Sequence, residues 1–356
     1  MLITRKPKPT AIGCHIYAGG FTLGIREHFK VLAHLEEGPF GVETAKKNMP
    51  DLGVLYPESN WGPVTDYARD QFDLLYGNPP CASWSQAGVK VRDKEDRNEA
   101  RWSKDGRTDC TVRLFALLEK LRPKIFLWES VAAAMKNGAA FVQQRVEQVN
   151  KLGYHAWLIT FNGADCGLPQ RRKRFFFLAS KVKVDVEGPP GGGIVTVREA
   201  LASIPAGSSQ EGAVPSDNYL RILKAMKPGE TSLNETFERL NAGKEYERNA
   251  HGMVAGRPGF LNIRLQMDEL SPTITGGPQF FHPTHHRPLT VKEQQVMCGY
   301  PHDYEFVGGV NDKYAQIAKA VLPPAARWIG GVAASAIRSN RKLASPIGST
   351  ICDFLS

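Results

Sequence analysis

Alternation of short apolar runs with longer helix-like stretches constrains this chain more than any other feature. "FDLLYGNPPC" reads as a strand running into a rigid turn, and "TVRLFALLEKLRPK" as a helix. "IFLWES", "FVQQRVEQVNKLGY", "HAWLITFNG" and "RFFFLAS" continue as strand, helix, strand and strand. Such alternation predicts an α/β fold with a doubly wound, Rossmann-like sheet. With 356 residues, 42% of them hydrophobic, the chain can bury one large core and carry a smaller unit.

Near the amino end, "CHIYAGGFTLGI" reads as a short strand, a glycine turn and the start of a helix, and "KVLAHLEE" as a second strand ending in acid. A β-turn-α-β unit with an acidic strand end is how an open parallel sheet holds a nucleoside-bearing cofactor. From "KVDVEGPPGGG" the pattern loosens into Gly, Pro and polar residues, as in "AGSSQEGAVPSDN". This predicts a catalytic and cofactor domain over 1–184, a small irregular domain over 185–265, and a return segment over 266–356. In the return segment "TVKEQQVMCGYP" predicts a helix with Thr290 as N-cap and Glu293 completing a capping box. "YAQIAKAVLPPAARWIGGVAASAIR" predicts one apolar helix packed back on the sheet.

The six cysteines form no CxxC pair and no regular spacing, which argues against a disulfide framework or a zinc site and for a reducing, cytoplasmic setting. No signal peptide and no run of membrane-spanning length is expected, hence a soluble protein. A net charge of +9, from 45 Lys and Arg against 36 Asp and Glu, favours a polyanionic partner. His282, His285 and His286 lack Cys or carboxylate partners at ligand spacing, so they read as loop or polyanion-contact residues and no metal is expected.

In "YGNPPCASWS" the prolines present Cys81 at a strand's carboxyl end, where α/β enzymes place their chemistry. A buried inert thiol is the usual fate of a free cysteine. Two further segments weigh against it. "WES" puts Glu129 at the end of an apolar strand, and "GLPQRRKRFFF" puts Gln170, Arg172 and Arg174 on alternate residues before a strand, able to share one face.

These residues carry a resemblance to the DNA (cytosine-5) methyltransferase family. It runs through "YAGGFTLG", "GNPPCASWS", "WESV", "GADCGLPQRRKRFFFLAS", "HRPLTVKEQQVMCGYP" and "YAQIAKAVLPP", in the family's order, and spans nearly everything outside 185–265. The resemblance implies Cys81 as the nucleophile that adds to carbon 6 of a flipped-out cytosine. It implies Glu129 at ring nitrogen 3, Arg174 at the base carbonyl, and Arg172 in the active site, available to lower the thiol pKa. For S-adenosylmethionine it implies Tyr17, Ala18, Gly19 and Gly20 as the glycine loop, Glu36 at the ribose and Asp66 near the adenine. Phe21, Asn78, Pro80, Lys319 and Ala320 complete that cleft. Ser85, Gln170 and Arg287 are expected against double-stranded DNA, and the charged stretch after Cys81 resembles a loop that closes over it. A monomer is expected.

The chain departs from the family at several points. The glycine loop is about two residues shorter than usual, and Ala82 stands where Gln is common. Ser130 stands where the family has Asn, losing an amide beside Glu129, and Ala318-Lys319 stands where the family has Gly-Asn. A lysine beside a cationic sulfonium donor is repelled unless something compensates. That something is a protein carboxylate, a DNA phosphate reached by turning outward, or a donor that carries an anion where methyl normally sits. Carboxy-S-adenosylmethionine is such a donor, and its product would be 5-carboxymethylcytosine. The other readings are plain DNA cytosine-5 methylation, cytosine-5 methylation of transfer RNA, and a catalytically silent DNA-binding homologue.

Overall fold

The computed structural model describes residues 7–36, 38–56, 64, 66, 69–81, 83–84, 108–231, 236, 240, 262–343 and 348–355. Its core is an eight-stranded sheet in the order β12-β6-β8-β5-β4-β1-β2-β3. The strands are β1 (Thr10–Cys14), β2 (Lys30–Leu35), β3 (Val54–Tyr56), β4 (Leu74–Gly77), β5 (Ile125–Val131), β6 (His155–Asn162), β8 (Lys173–Ser180) and β12 (Ser349–Phe354). Only β8 runs against its neighbours, β5 and β6. Strand order reverses between β1 and β4, so the crevice beyond their carboxyl ends is the topological switch point where doubly wound sheets bind ligands. The glycine loop leaves β1 and the Pro-Pro-Cys81 turn leaves β4. Both therefore open onto that crevice.

Helices cover both faces. They are α1 (Gly20–Ile25), α2 (Pro39–Asn48), α3 (Thr108–Leu121), α4 (Ala134–Asn137), α5 (Ala139–Lys151), α6 (Val197–Ala202), α7 (Asp217–Ala225), α8 (Val291–Met297), α9 (Val310–Lys319) and α10 (Pro323–Ser339). The pleat of β5 sends Phe126 and Trp128 into a core shared with α3 and α5, and Ile125 and Leu127 into one shared with α1 and α10. The helices α1 and α10 touch so closely that a Cβ on Gly24 would lie 2.2 Å from the Arg327 nitrogen. The looser region contributes α6, α7 and a small cluster of Ile222, Leu223, Met226 and Phe281. Its strand β9 (Ile263–Arg264) pairs with β11 (Phe280–Phe281), across the expected boundary at 265. A second two-stranded sheet joins β7 (Gln170–Arg171) to β10 (Ser271–Pro272).

The doubly wound arrangement and the capped helix at Thr290 are as expected; Thr290 Oγ1 accepts from the Glu293 N–H at 3.1 Å. Three details differ. The first strand ends at Cys14 rather than running on from it, because His15 and Tyr17 take left-handed φ of 51° and 48° and turn the chain. The carboxyl-terminal apolar run is two helices, broken at 320–322 before Pro323 and Pro324. By length and composition Val310–Ser339 is long and apolar enough to cross a membrane, contrary to expectation, yet 67% of its most apolar window is buried inside the protein. That is the position of a core helix.

A polar knot lies under the cofactor end of the sheet. Thr22 Oγ1 is 2.7 Å from the Tyr76 hydroxyl and 3.1 Å from His34 Nε2, which is itself 3.1 Å from Tyr76. Gly13 leaves room for it, since a Cβ there would lie 2.6 Å from the Tyr76 hydroxyl. Burial pushes the His34 pKa down to about 3, so the folded protein holds it neutral. The unfolded chain binds the proton at about pH 6.5, so the stability from keeping His34 neutral is complete above that pH and is lost as pH falls toward the folded value. Between pH 6.5 and pH 5 the loss is on the order of 2 kcal/mol. Denaturant midpoints measured across this range should fall in the wild type and flatten in His34→Gln.

Candidate active site

A cavity of about 350 Å³ opens at the switch point. Tyr17, Glu36, Pro80 and Lys319 line it, all four expected there, together with His15, Phe40 and Asp312, which were not. Glu36, at the end of β2, is fixed by one donor per oxygen: the Tyr17 N–H to Oε2 at 2.6 Å and the Gly38 N–H to Oε1 at 2.9 Å. An acceptor held this way suits the hydroxyls of a ribose. Gly19 turns the loop at φ 84°, and a Cβ on Gly20 would meet the Val321 carbonyl at 2.3 Å. The loop is thus pressed against the link between α9 and α10, and the Ala18 carbonyl accepts from the Tyr304 hydroxyl.

Several expected cofactor residues stand behind the cavity wall. Ala18, Phe21 and Ala320 are buried, and Phe21 packs edge-on against Tyr76 with ring centroids 4.9 Å apart. They shape the pocket without lining it. Asp66 is exposed on a turn and does not line the cavity. Asn78 also turns away from it: its side-chain amide donates to Glu129 Oε2 at 2.5 Å.

Pro80 joins the cavity wall to Cys81, which is half-buried beside it. Glu129, near the end of β5, is 3% exposed and pairs through Oε1 with Arg174 Nε at 3.2 Å. Burial pushes the Cys81 thiol up, and the Glu129 charge pushes it further; Arg174 and, less, Arg172 pull it back. Glu129 is raised by burial and lowered in turn by Arg174, Arg172 and the Asn78 bond. Cys, Glu and the two arginines therefore converge as one electrostatic unit. The net effect on the thiol is upward, so the arginines only offset burial.

Arg172 holds backbone rather than open space. It is 1% exposed; Nη1 donates to the Ile274 carbonyl at 3.1 Å, and Nη2 to those of Ala318 at 2.6 Å and Ala320 at 3.2 Å. Gln170, expected against DNA, is fully buried: its amide donates to the Met297 carbonyl at 2.6 Å and accepts from the Ile274 N–H at 3.3 Å. Arg287, also expected against DNA, makes a two-pronged ion pair with Glu293, both contacts at 2.7 Å. Alternate residues 170, 172 and 174 do not share a face because β7 ends at Arg171 and β8 begins at Lys173, leaving Arg172 in the break. Ser85 and nearly all of the charged stretch after it lie outside the described residues. His282 Nδ1 accepts from the Thr284 and His285 N–H groups, and burial draws its pKa down to about 4. Among the described residues no group of three His, Cys, Asp or Glu side chains is placed to hold a metal.

A doubly wound sheet with a carboxylate held by two backbone donors at its switch point, and with a thiol, a carboxylate and an arginine converging beside the neighbouring strand ends, is an arrangement suited to a nucleoside-cofactor-dependent transferase. Residues 15–334 match the family described as C-5 cytosine-specific DNA methylase, and the chain belongs to that family. Membership brings S-adenosylmethionine as donor class and DNA cytosine as substrate class. The chain is 26% identical over 321 residues to the type II methyltransferase M1.HphI of Haemophilus parahaemolyticus, covering 88% of this chain and 83% of that one. It is 27% identical over 345 residues to M.Eco47II of Escherichia coli, covering 88% and 78%. A solved E. coli prophage structure, described as a candidate DNA modification methyltransferase, shares the fold with a TM-score of 0.65 at 20% identity, over 93% of this chain and all of that one.

Proposed function

We propose that this chain transfers a carboxymethyl group from carboxy-S-adenosylmethionine to carbon 5 of a flipped-out cytosine in duplex DNA. Carbon 5 is a poor nucleophile. The Cys81 thiolate adds to carbon 6, forming the S–C6 bond and turning the ring into an enamine. Glu129, held by Arg174 and Asn78 and protonated when the base binds, gives its proton to ring nitrogen 3 and so neutralises the negative charge that the addition puts on the ring. Arg174 binds the base carbonyl. The donor would supply an electrophilic carbon on a sulfonium, to which carbon 5 bonds as that carbon–sulfur bond breaks and S-adenosylhomocysteine leaves. Solvent then takes the carbon 5 proton, the C6–S bond breaks to release Cys81 as thiolate, and ring nitrogen 3 returns its proton to Glu129. The irregular unit that includes α6, α7 and β9–β11 is the DNA reader in this proposal.

One observation carries the choice of donor. Lys319, the last residue of α9, lines the same cavity as Glu36 and Pro80, is exposed, and makes no ion pair among the described residues. The two carboxylates that share the cavity are otherwise engaged, Glu36 by two backbone donors and Asp312 by the Gly309 N–H at 3.1 Å. An ammonium so placed disfavours a donor of net positive charge with a bare methyl on its sulfonium and favours one with a second carboxylate at that carbon.

Mixed-sequence duplex DNA, offered both donors separately and in competition, provides the test, with digested nucleosides read by mass spectrometry. Carboxymethyl-deoxycytidine should predominate, and Lys319→Asn should shift preference toward methyl by about tenfold or more. Methyl product at an unchanged ratio in both proteins would sink the donor reading and leave Lys319 for a DNA phosphate. Product on transfer RNA but not on DNA would overturn the substrate.

A further inference from the structure

We infer that Asn78 is a positioning residue for Glu129, fixing the plane of its carboxylate and following its proton as it moves to and from the base. The inference rests on Glu129 as the partner of the ring nitrogen. Parallel register sets Gly77 of β4 opposite Trp128 of β5, so the next residues, Asn78 and Glu129, stand side by side. Both are 3% exposed. Asn78 Nδ2 donates to Oε2 at 2.5 Å and Arg174 Nε approaches Oε1 at 3.2 Å, so each carboxylate oxygen has its own donor, one just beyond β4 and one on β8. The carboxylate cannot rotate without breaking both.

The other half of the amide is the informative part. Asn78 Oδ1 is buried with no hydrogen-bond partner among the described residues. An amide with its oxygen left dry is costly to bury, and alanine would avoid that cost. The arrangement makes sense for a group that serves two states. With Glu129 ionised, the Asn78 N–H donates to it. With Glu129 protonated, the amide turns over and Oδ1 accepts the acid's O–H. Glu129 can thus pass its proton to ring nitrogen 3 and recover it while keeping a bonded neighbour throughout. The charged and titratable groups around Glu129 are Arg174 on β8, Arg172 in the break before it, and Cys81 beyond β4. The two arginines can only donate, and Cys81 is committed to carbon 6 of the base.

Ser130 takes no part. It follows Glu129 along β5, so its side chain points to the opposite face, where its hydroxyl is buried with no partner among the described residues. The amide beside Glu129 therefore comes from the neighbouring strand, not from the next residue of its own.

Full-length wild type, Asn78→Ala, Asn78→Asp and Glu129→Gln would be compared by tritium release from duplex DNA carrying cytosine tritiated at carbon 5, across pH and with each donor. Release counts turnovers whichever carbon is transferred. Asn78→Ala should slow release about 10- to 100-fold and move the Glu129-dependent limb of the profile up by about one pH unit, since a bond that favours the ionised form is gone. The isosteric Asn78→Asp should share one proton with Glu129, working near the wild-type rate at low pH and failing as alkali removes that proton. Wild-type pH profiles in both Asn78 variants would overturn the inference. No release from wild type, or full release from Glu129→Gln with an unshifted profile, would instead overturn the catalytic reading of Glu129.

Discussion

Cys81→Ala is expected to abolish transfer, by at least about 10⁴-fold, while leaving fold and DNA affinity close to wild type. The loss is large because carbon 5 has no other route to reactivity once the sulfur is gone. Fold is spared because Cys81 is half-buried in a turn whose shape is set by Pro79 and Pro80. The electrostatics add a sharper expectation. Burial is the leading cause of the raised thiol pKa, the Glu129 charge comes second, and Arg174 is the leading force against them. The thiolate fraction therefore grows with pH, and wild-type turnover should rise into the alkaline range. Arg174→Gln should move Cys81 alkylation to higher pH, whereas Glu129→Gln should move it to lower pH. Alkylation rates across pH check both directions. Shifts of the same sign in the two variants would show that Cys81 is not coupled to this cluster.

What the sequence displays and what it hides follow from how local each determinant is. The strands β4, β5, β6 and β8 and the helices between them are legible because each is decided by its own residues. The capping box at Thr290 and Glu293 is likewise a matter of three positions. Cys81, Glu129 and Arg174 are found as candidates because each sits at or beside a strand end. Partners are another matter. Asn78 and Glu129 are 51 residues apart, and nothing in either segment says that β4 and β5 are neighbours in this register. Alternation at 170, 172 and 174 suggests one face, yet the break between β7 and β8 sends Gln170 and Arg172 into the ends of distant helices. The edge strand β12, "STICDF", escapes notice because most of it is exposed and its pairing with β6 comes from nearly two hundred residues away. Tertiary neighbours, not periodicity, decide such elements.

Arg172→Ala should be the most destabilising single change in the site, at about 4 kcal/mol. Arg172 is a buried cation without a hydrogen-bonded carboxylate; what it has are three backbone carbonyls, from Ile274, Ala318 and Ala320. Burial pulls its pKa down to about 10, which still leaves it charged at neutral pH. Two of those carbonyls lie at the carboxyl end of α9, where the helix's unpaired C=O groups and partial negative charge favour a cation. The third follows β10, so one guanidinium ties the strand carrying Arg174 to the helix carrying Lys319 and to the segment after β10. Alanine leaves three buried acceptors unsatisfied and a cavity between them. Lysine keeps the charge but reaches fewer of the three, so Arg172→Lys should fall between the two in thermal melting. Detaching the end of α9 also displaces Lys319 from the cavity, so surviving activity should show a raised KM for the donor more than a lowered kcat. A melting temperature within a degree of wild type for Arg172→Ala would show that the carbonyls find other partners and that this arginine does not hold the site together.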